Sequence, residues 1–147
     1  MKAIAYLATA WLVLSTPAAA EAQVKLSQLP AAVQATVKAE TATATVRSIS
    51  KETARGKIVF EVETTVGAKT RDFLVDAAGT VIEVEEETDL ASVPSAVKAA
   101  IEKASAGGIV QRIEKTTQGS AVRYEVGLRK NGKTSEFTVN ADGSLRK

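Results

Sequence analysis

The chain has 147 residues, a formal net charge of +2, and no His or Cys. Near-balanced charge removes strong nucleic-acid binding as a default, and a chain without Cys has no disulfide framework. The lack of both His and Cys excludes a Ser-His-Asp triad, a cysteine nucleophile and the usual zinc sites.

The first predicted element is an address. Met1 and Lys2 precede an apolar run from Ala3 to Leu14, broken at Pro17 and followed by small residues up to Ala22. That pattern predicts a signal peptide over residues 1–22, cleaved after Ala22 or, as the second choice, after Ala20. No Cys follows the run, so a lipid-anchored form is not expected. No later apolar run is long enough to span a bilayer. The expected product is soluble, periplasmic or secreted, with no membrane span after cleavage. Cleavage removes Trp11, Tyr6 and Met1 and leaves four aromatic residues: Phe60, Phe73, Tyr124 and Phe137. About 125 residues then have to bury one respectable core or two small ones.

The mature chain opens on a predicted helix. Leu29, Val33 and Val37 form an apolar stripe at i, i+4, i+8, with Ser27 as the expected N-cap and Pro30 in the first turn. Thr-rich "ETATAT" ends it, being a poor helix former. Strands are expected at Val46 to Lys51, through "KIVFEVETT", and at Thr70 to Val75, where apolar and polar residues alternate. "GAK" and "DAAG" read as tight turns. A last strand runs from Thr80 to Glu86, and "EEETDLAS", Glu85 to Ser92, reads as a solvated strand end and linker.

The same order then begins again. Ser92 is the expected cap of a helix carrying Val93, Val97 and Ile101, which ends at Gly107-Gly108. Tyr124-Glu125-Val126 sits where Phe60-Glu61-Val62 did, followed by an Asn-Gly turn and a strand from Thr134 to Val139. At a constant offset of 64, roughly 17 of 55 positions are identical without a gap. The four aromatics occupy two repeat positions, each filled twice, which marks them as core anchors. The expected fold is α+β: two tandem repeats, residues 23–88 and 89–147, each a helix packed on a three- to four-stranded antiparallel sheet. Residues 24–89 carry 8 basic against 11 acidic residues, and residues 90–147 carry 10 against 5. The halves therefore attract one another or face different partners.

No nucleotide-binding glycine motif or P-loop is present. A Ser–Lys dyad is compatible with the composition, but no Ser sits in a recognisable elbow. Glu61 and Glu125 match across the copies, which makes them candidates for paired-carboxylate chemistry. Their alternation with Phe60, Val62, Tyr124 and Val126 places them on the wet face. Glu83, Glu85, Glu86, Glu87 and Asp89 offer oxygen ligands for calcium but lack the spacing of a dedicated loop. "NADGS" begins like a calcium loop and has no distal Glu, so a hairpin turn accounts for it. Lys98, Lys103, Arg112, Lys115, Arg123, Arg129, Lys130 and Lys133 suggest an electropositive face for an acidic protein or envelope polymer.

A family resemblance rests on this order. Leu29-Pro30-Ala31-Ala32-Val33, Phe60-Glu61-Val62, Phe73-Leu74-Val75-Asp76 and Gly79 carry it in the first copy. Val93-Pro94, Tyr124-Glu125-Val126, Gly132-Lys133, Phe137-Thr138-Val139 and Asp142-Gly143 carry it in the second. The chain resembles the PepSY-like group, including the tandem architecture of β-lactamase inhibitory proteins, over essentially its whole mature length. The resemblance implies an extracytoplasmic, non-enzymatic module of the kind that restrains secreted enzymes or binds at the envelope. This chain departs from disulfide-bearing members by having no Cys.

The reading is a non-enzymatic binding module that engages a protein or peptide, restraining or inhibiting a secreted or envelope enzyme such as a peptidase. The alternative is an envelope protein that senses or binds a small ligand or calcium. No catalytic residue, cofactor or dedicated metal site is expected. Glu61, Glu125, Arg123, Arg129 and Lys130 are the expected partner-binding residues.

Overall fold

The computed structural model describes residues 22–146, so the expected signal segment lies outside the described residues apart from Ala22. The elements in chain order begin with β1 (Ala22–Gln23), a 3-10 turn at Leu26–Gln28, α1 (Ala31–Glu40), β2 (Thr45–Ala54) and β3 (Lys57–Val66). They continue with β4 (Lys69–Asp76), β5 (Val81–Thr88), α2 (Ser95–Ala104), β6 (Ile109–Gln118), β7 (Ala121–Lys130) and β8 (Lys133–Asn140).

The expected pair of separate helix-on-sheet units is overturned. All eight strands form one antiparallel sheet in the order β1 to β8, and strand rather than an α+β balance dominates the architecture. The joint is β5 with β6, paired from Val84↔Thr117 to Thr88↔Ile113. The segment expected to be a linker is therefore strand as far as Thr88. Unpaired backbone groups on two facing edges are better satisfied by each other than by water once the edges lie side by side. Local patterning carries no signal for that pairing.

Within each half the expected strands and turns are present. Phe60 stands opposite Val75 and Val62 opposite Phe73, just as Tyr124 stands opposite Val139 and Val126 opposite Phe137. The Asn131-Gly132 turn has positive φ at both residues (52° and 75°), as a type I′ hairpin requires. The serine caps are not used. Pro30 and Pro94 are the N-caps, with extended ψ of 145° and 148°, and their carbonyls accept from the N–H of Gln34 and Lys98 at 2.9 Å. Ser27 lies in the 3-10 turn, and the Ser92 N–H is held by the Asp89 carbonyl at 2.9 Å.

Both helices pack over apolar rows of the sheet, and the core divides into two clusters. One gathers Leu29, Val33, Val37, Ile49, Phe60, Val62, Phe73 and Val75; the other gathers Val93, Val97, Ile101, Ile113, Tyr124, Val126 and Val139. Fully burying one such side chain stabilises the fold by about 1.5–3 kcal/mol. Each β-turn leading back from the sheet touches its helix. A Cβ on Gly79 would lie 2.9 Å from the Ala32 carbonyl, and one on Gly143 would lie 2.7 Å from the Ala96 oxygen. Both glycines also have φ of 87°, so any side chain there is strained and clashes with helix backbone.

Between the clusters, the helix-side row is polar. Arg71, Glu86 and Lys115 stand in register on β4, β5 and β6. Glu86 receives Arg71 Nε at 3.5 Å and Lys115 Nζ at 3.9 Å. Arg71 also reaches Glu40 of α1 at 2.7 Å and places its guanidinium 5.4 Å from the Phe73 ring centre. The charge asymmetry between halves is thus partly spent inside the sheet.

Candidate functional site

With the helices on one side, period-2 alternation turns the other side chains of β2 to β8 to a face that neither helix covers. The register fixes which side chains meet there. Glu87 stands opposite Glu114, and Glu114 opposite Glu125. Asp72 stands opposite Glu85, which faces Thr116, which faces Arg123. Glu61 lies between Ser50 and Leu74, with Glu63 beside it facing Ser48. Residues directly opposite place their Cβ atoms about 5 Å apart, and like charges at that spacing repel.

Three arginines and several other donors hold this array together. Arg123 Nη2 lies 3.4 Å from Glu83 Oε2, with side chains only 11% and 7% exposed. Arg112 donates to Thr70 Oγ1 at 2.8 Å and pairs with Glu114. Arg47 Nη2 lies 3.1 Å from both Asp72 oxygens, and Asp72 also accepts from the Thr64 N–H at 2.8 Å. Ser48 donates to Glu63 at 2.5 Å.

Carboxylates packed this way resist ionisation. Glu85 is pushed up to about 8 from 4.5 by burial first, then by the charges of Glu114, Glu83 and Glu125, with Arg123 opposing. Glu114 is pushed up to about 7 by burial, which the neighbouring Arg112 opposes and Glu125 reinforces. Glu125 is raised chiefly by burial and then by Glu136. A shallow recess opens beside this group, lined by Arg112, Glu114, Glu125, Gly127 and Glu136. Chemically, such a face holds and releases protons near neutral pH and accepts hydrogen bonds or cationic groups. Among the described residues, no three carboxylates converge where a metal ion would sit. "DAAG" and "NADG" are both turns, closed by Gly79 N–H to Asp76 and Gly143 N–H to Asn140 at 3.0 and 2.9 Å.

The five expected partner-binding residues do not form one cluster. Arg123, Glu125 and Arg129 share the open side of β7. Glu61 is on that face but four strands away, about 19 Å across the sheet. Lys130 has the opposite parity, and its Nζ donates to the Ala106 carbonyl at 2.8 Å. Nor do the basic residues of the second half make one electropositive face. Arg112 and Arg123 are embedded among carboxylates, Lys115 is on the helix side, and Lys98 and Lys103 ride on α2. Sequence reasoning missed Glu114, and it read Glu83 and Glu85 only as a solvated acidic run with weak calcium-ligand character. Glu83 and Glu85 were visible as alternate positions of "VIEVEEET", but their shelter comes from the strands on either side.

No family model matches the chain, and no curated protein matches it. Solved structures do. A periplasmic protein from Bacteroides eggerthii DSM 20697 is 15% identical, with 81% of this chain and 86% of that one covered and a TM-score of 0.65. A DUF2874 family protein from Bacteroides ovatus ATCC 8483 is 14% identical over 82% and 86%, with a TM-score of 0.64. A BLIP-like protein from Bacteroides fragilis NCTC 9343 is 19% identical over 79% and 82%, with a TM-score of 0.57. The fold is therefore shared with these proteins, in line with the PepSY-like and β-lactamase-inhibitory resemblance. At these identities the likeness extends to the fold alone. Among the described residues, no helix is long and apolar enough to cross a membrane, which says nothing of strands.

Proposed function

We propose that the chain is an extracytoplasmic, non-enzymatic binding module that presents the open face of its sheet to a protein partner. The observation that carries this reading is the array of buried Glu83 and half-buried Glu85, Glu114 and Glu125 around Arg112 and Arg123. It leaves a broad, shallow, polar face, suited to another protein's surface rather than to an enclosed small substrate. Periplasmic and BLIP-like descriptions of similarly folded proteins support an envelope location and a protein partner. The finer reading is that docking restrains a secreted or envelope enzyme such as a peptidase.

The test immobilises residues 23–147 beside a double variant, Glu61→Lys with Glu125→Lys, whose melting curve is checked first. A stoichiometric, salt-resistant partner retained by the natural chain and lost from the variant is the expected result. The retained enzyme's activity is then assayed with and without the chain. Equal retention by both, or no protein retained above salt-sensitive background, removes the open-face reading.

A further inference from the structure

Among the described residues, the sheet ends at β8, and the outer edge of that strand is only partly taken. Arg146 N–H donates to the Thr138 carbonyl, and Asn140 N–H donates to the Ser144 carbonyl, both at 2.9 Å. Thr138 and Asn140 therefore turn their backbone groups away from β7. Alternate residues of an antiparallel strand share that direction, so Glu136 and Thr134 also present N–H and C=O outward. Among the described residues, no strand lies against them.

The matching edge in the first half is filled. Asp76 N–H donates to the Thr80 carbonyl at 2.9 Å, as Asn140 does to Ser144, and Val75 faces Val81 as Val139 faces Leu145. From there β5 runs on along β4, placing Val84 opposite Phe73, Glu85 opposite Asp72 and Glu86 opposite Arg71. The aromatic rings record the difference. Phe73 is 2% exposed, whereas Phe137, on the unfilled edge, is only half-buried.

We infer that the β8 edge from Thr134 to Thr138 is a docking slot for an extended segment of a partner protein, added antiparallel in the position that β5 takes on β4. Its side chains specify the chemistry of that segment. The open flank of Phe137 takes an apolar residue, as Val84 covers Phe73. Glu136, exposed and opposite the next ligand position, takes a basic residue. Beyond it, Lys133 and the neighbouring Arg129 and Lys130 are all exposed and favour acidic residues. The slot spans five residues, about 17 Å, enough for main-chain hydrogen bonds to supply affinity while alternate side chains supply selectivity. This edge borders the open face, since Glu136 also lines the recess beside Glu114 and Glu125, but its main-chain groups point along the sheet rather than out of that face.

The probe is a seven-residue peptide with the sequence of Val84 to Leu90 carrying Glu85→Lys, capped at both ends. It is titrated to millimolar concentration into isotope-labelled protein at low salt. Expected are amide shifts and slowed hydrogen exchange centred on Thr134, Glu136 and Thr138, and at least about threefold weaker binding of the unsubstituted peptide. Glu136→Pro removes an outward N–H at a position where an edge strand tolerates proline. It is expected to weaken binding at least tenfold with an unchanged melting curve. If that variant fails to fold, Thr134→Pro is read in the same way. Shifts confined to the open face, no shift at millimolar peptide, or β8 protection that arises from self-association without peptide would each overturn the inference.

Discussion

Phe73 and Phe137 lie 64 residues apart and face the same partners, Val62 on β3 and Val126 on β7. One is sealed and the other is not. Around Phe73, β5 covers the outer flank with Val84, and Arg71 reaches over the ring to Glu40 of α1. The positions equivalent to Arg71 and Glu40 hold Ser135 and Ala104, and the β8 edge lacks a full neighbour among the described residues. Thr36 ties α1 to the Gly79 carbonyl at 2.6 Å, whereas its equivalent is Ala100. Equal sequence patterns therefore give unequal burial, because the outermost layer of each half is supplied by whatever strand follows it.

The largest expected break in that comparison comes from removing the rings. Phe73→Ala should cost about 3–5 kcal/mol, and Phe137→Ala about half of that, measured by urea unfolding. Equal costs would mean that the open flank of Phe137 is as well packed as the closed one.

A smaller effect sits at the seam. The pKa of Glu85, about 8, and of Glu114, about 7, both lie above their ordinary value of 4.5. The folded chain then binds more protons than the unfolded one between those limits. Stability from these groups is full below about pH 4.5 and is lost as pH rises through 7 to 8. The melting temperature should fall by several degrees from pH 5 to pH 8. Glu85→Gln should flatten that slope and stabilise the fold at pH 8 by an amount on the order of 2 kcal/mol. A variant with the natural slope would place the proton elsewhere.

The smallest effect sharpens the comparison instead. Ser135→Arg with Ala104→Glu copies the Arg71–Glu40 link into the second half and should add no more than about 1 kcal/mol, read from paired melts. A larger gain would show that the link, rather than β5, is what seals Phe73.

Much of this was legible in the residues. Alternation in "KIVFEVETT" gave β3 to within a residue, and Val33 and Val37 gave the buried stripe of α1, whereas Leu29, expected in the same stripe, is buried from the extended residue ahead of the helix. Gly79 and Gly143 marked turns, although nothing in the sequence says that each presses on a helix backbone. The acidic run was the instructive failure. Its glutamates alternate as a solvated strand should, and Glu86 and Glu87 look like a linker. Long-range pairing with β6 then shelters Glu83 and Glu85 in mid-sheet. The helix caps failed because Pro30 and Pro94, with their extended ψ, occupy the cap position themselves. Of the expected partner-binding residues, alternation alone puts Arg123, Glu125 and Arg129 on one side of β7 and Lys130 on the other.

The strand order β1 to β8, identical to the chain order, also governs how the molecule forms. Among the described residues, every ladder joins consecutive strands, and five of the seven are closed by short turns, so most of the sheet needs only local encounters. Hairpins of this kind close within about 1–10 μs. The exceptions are β1 to β2 and β5 to β6, where α1 and α2 intervene. Low contact order predicts rapid folding for a protein so rich in strand. It also predicts that the slow event is the meeting of β5 with β6, the moment at which two independently zipped meanders become one sheet.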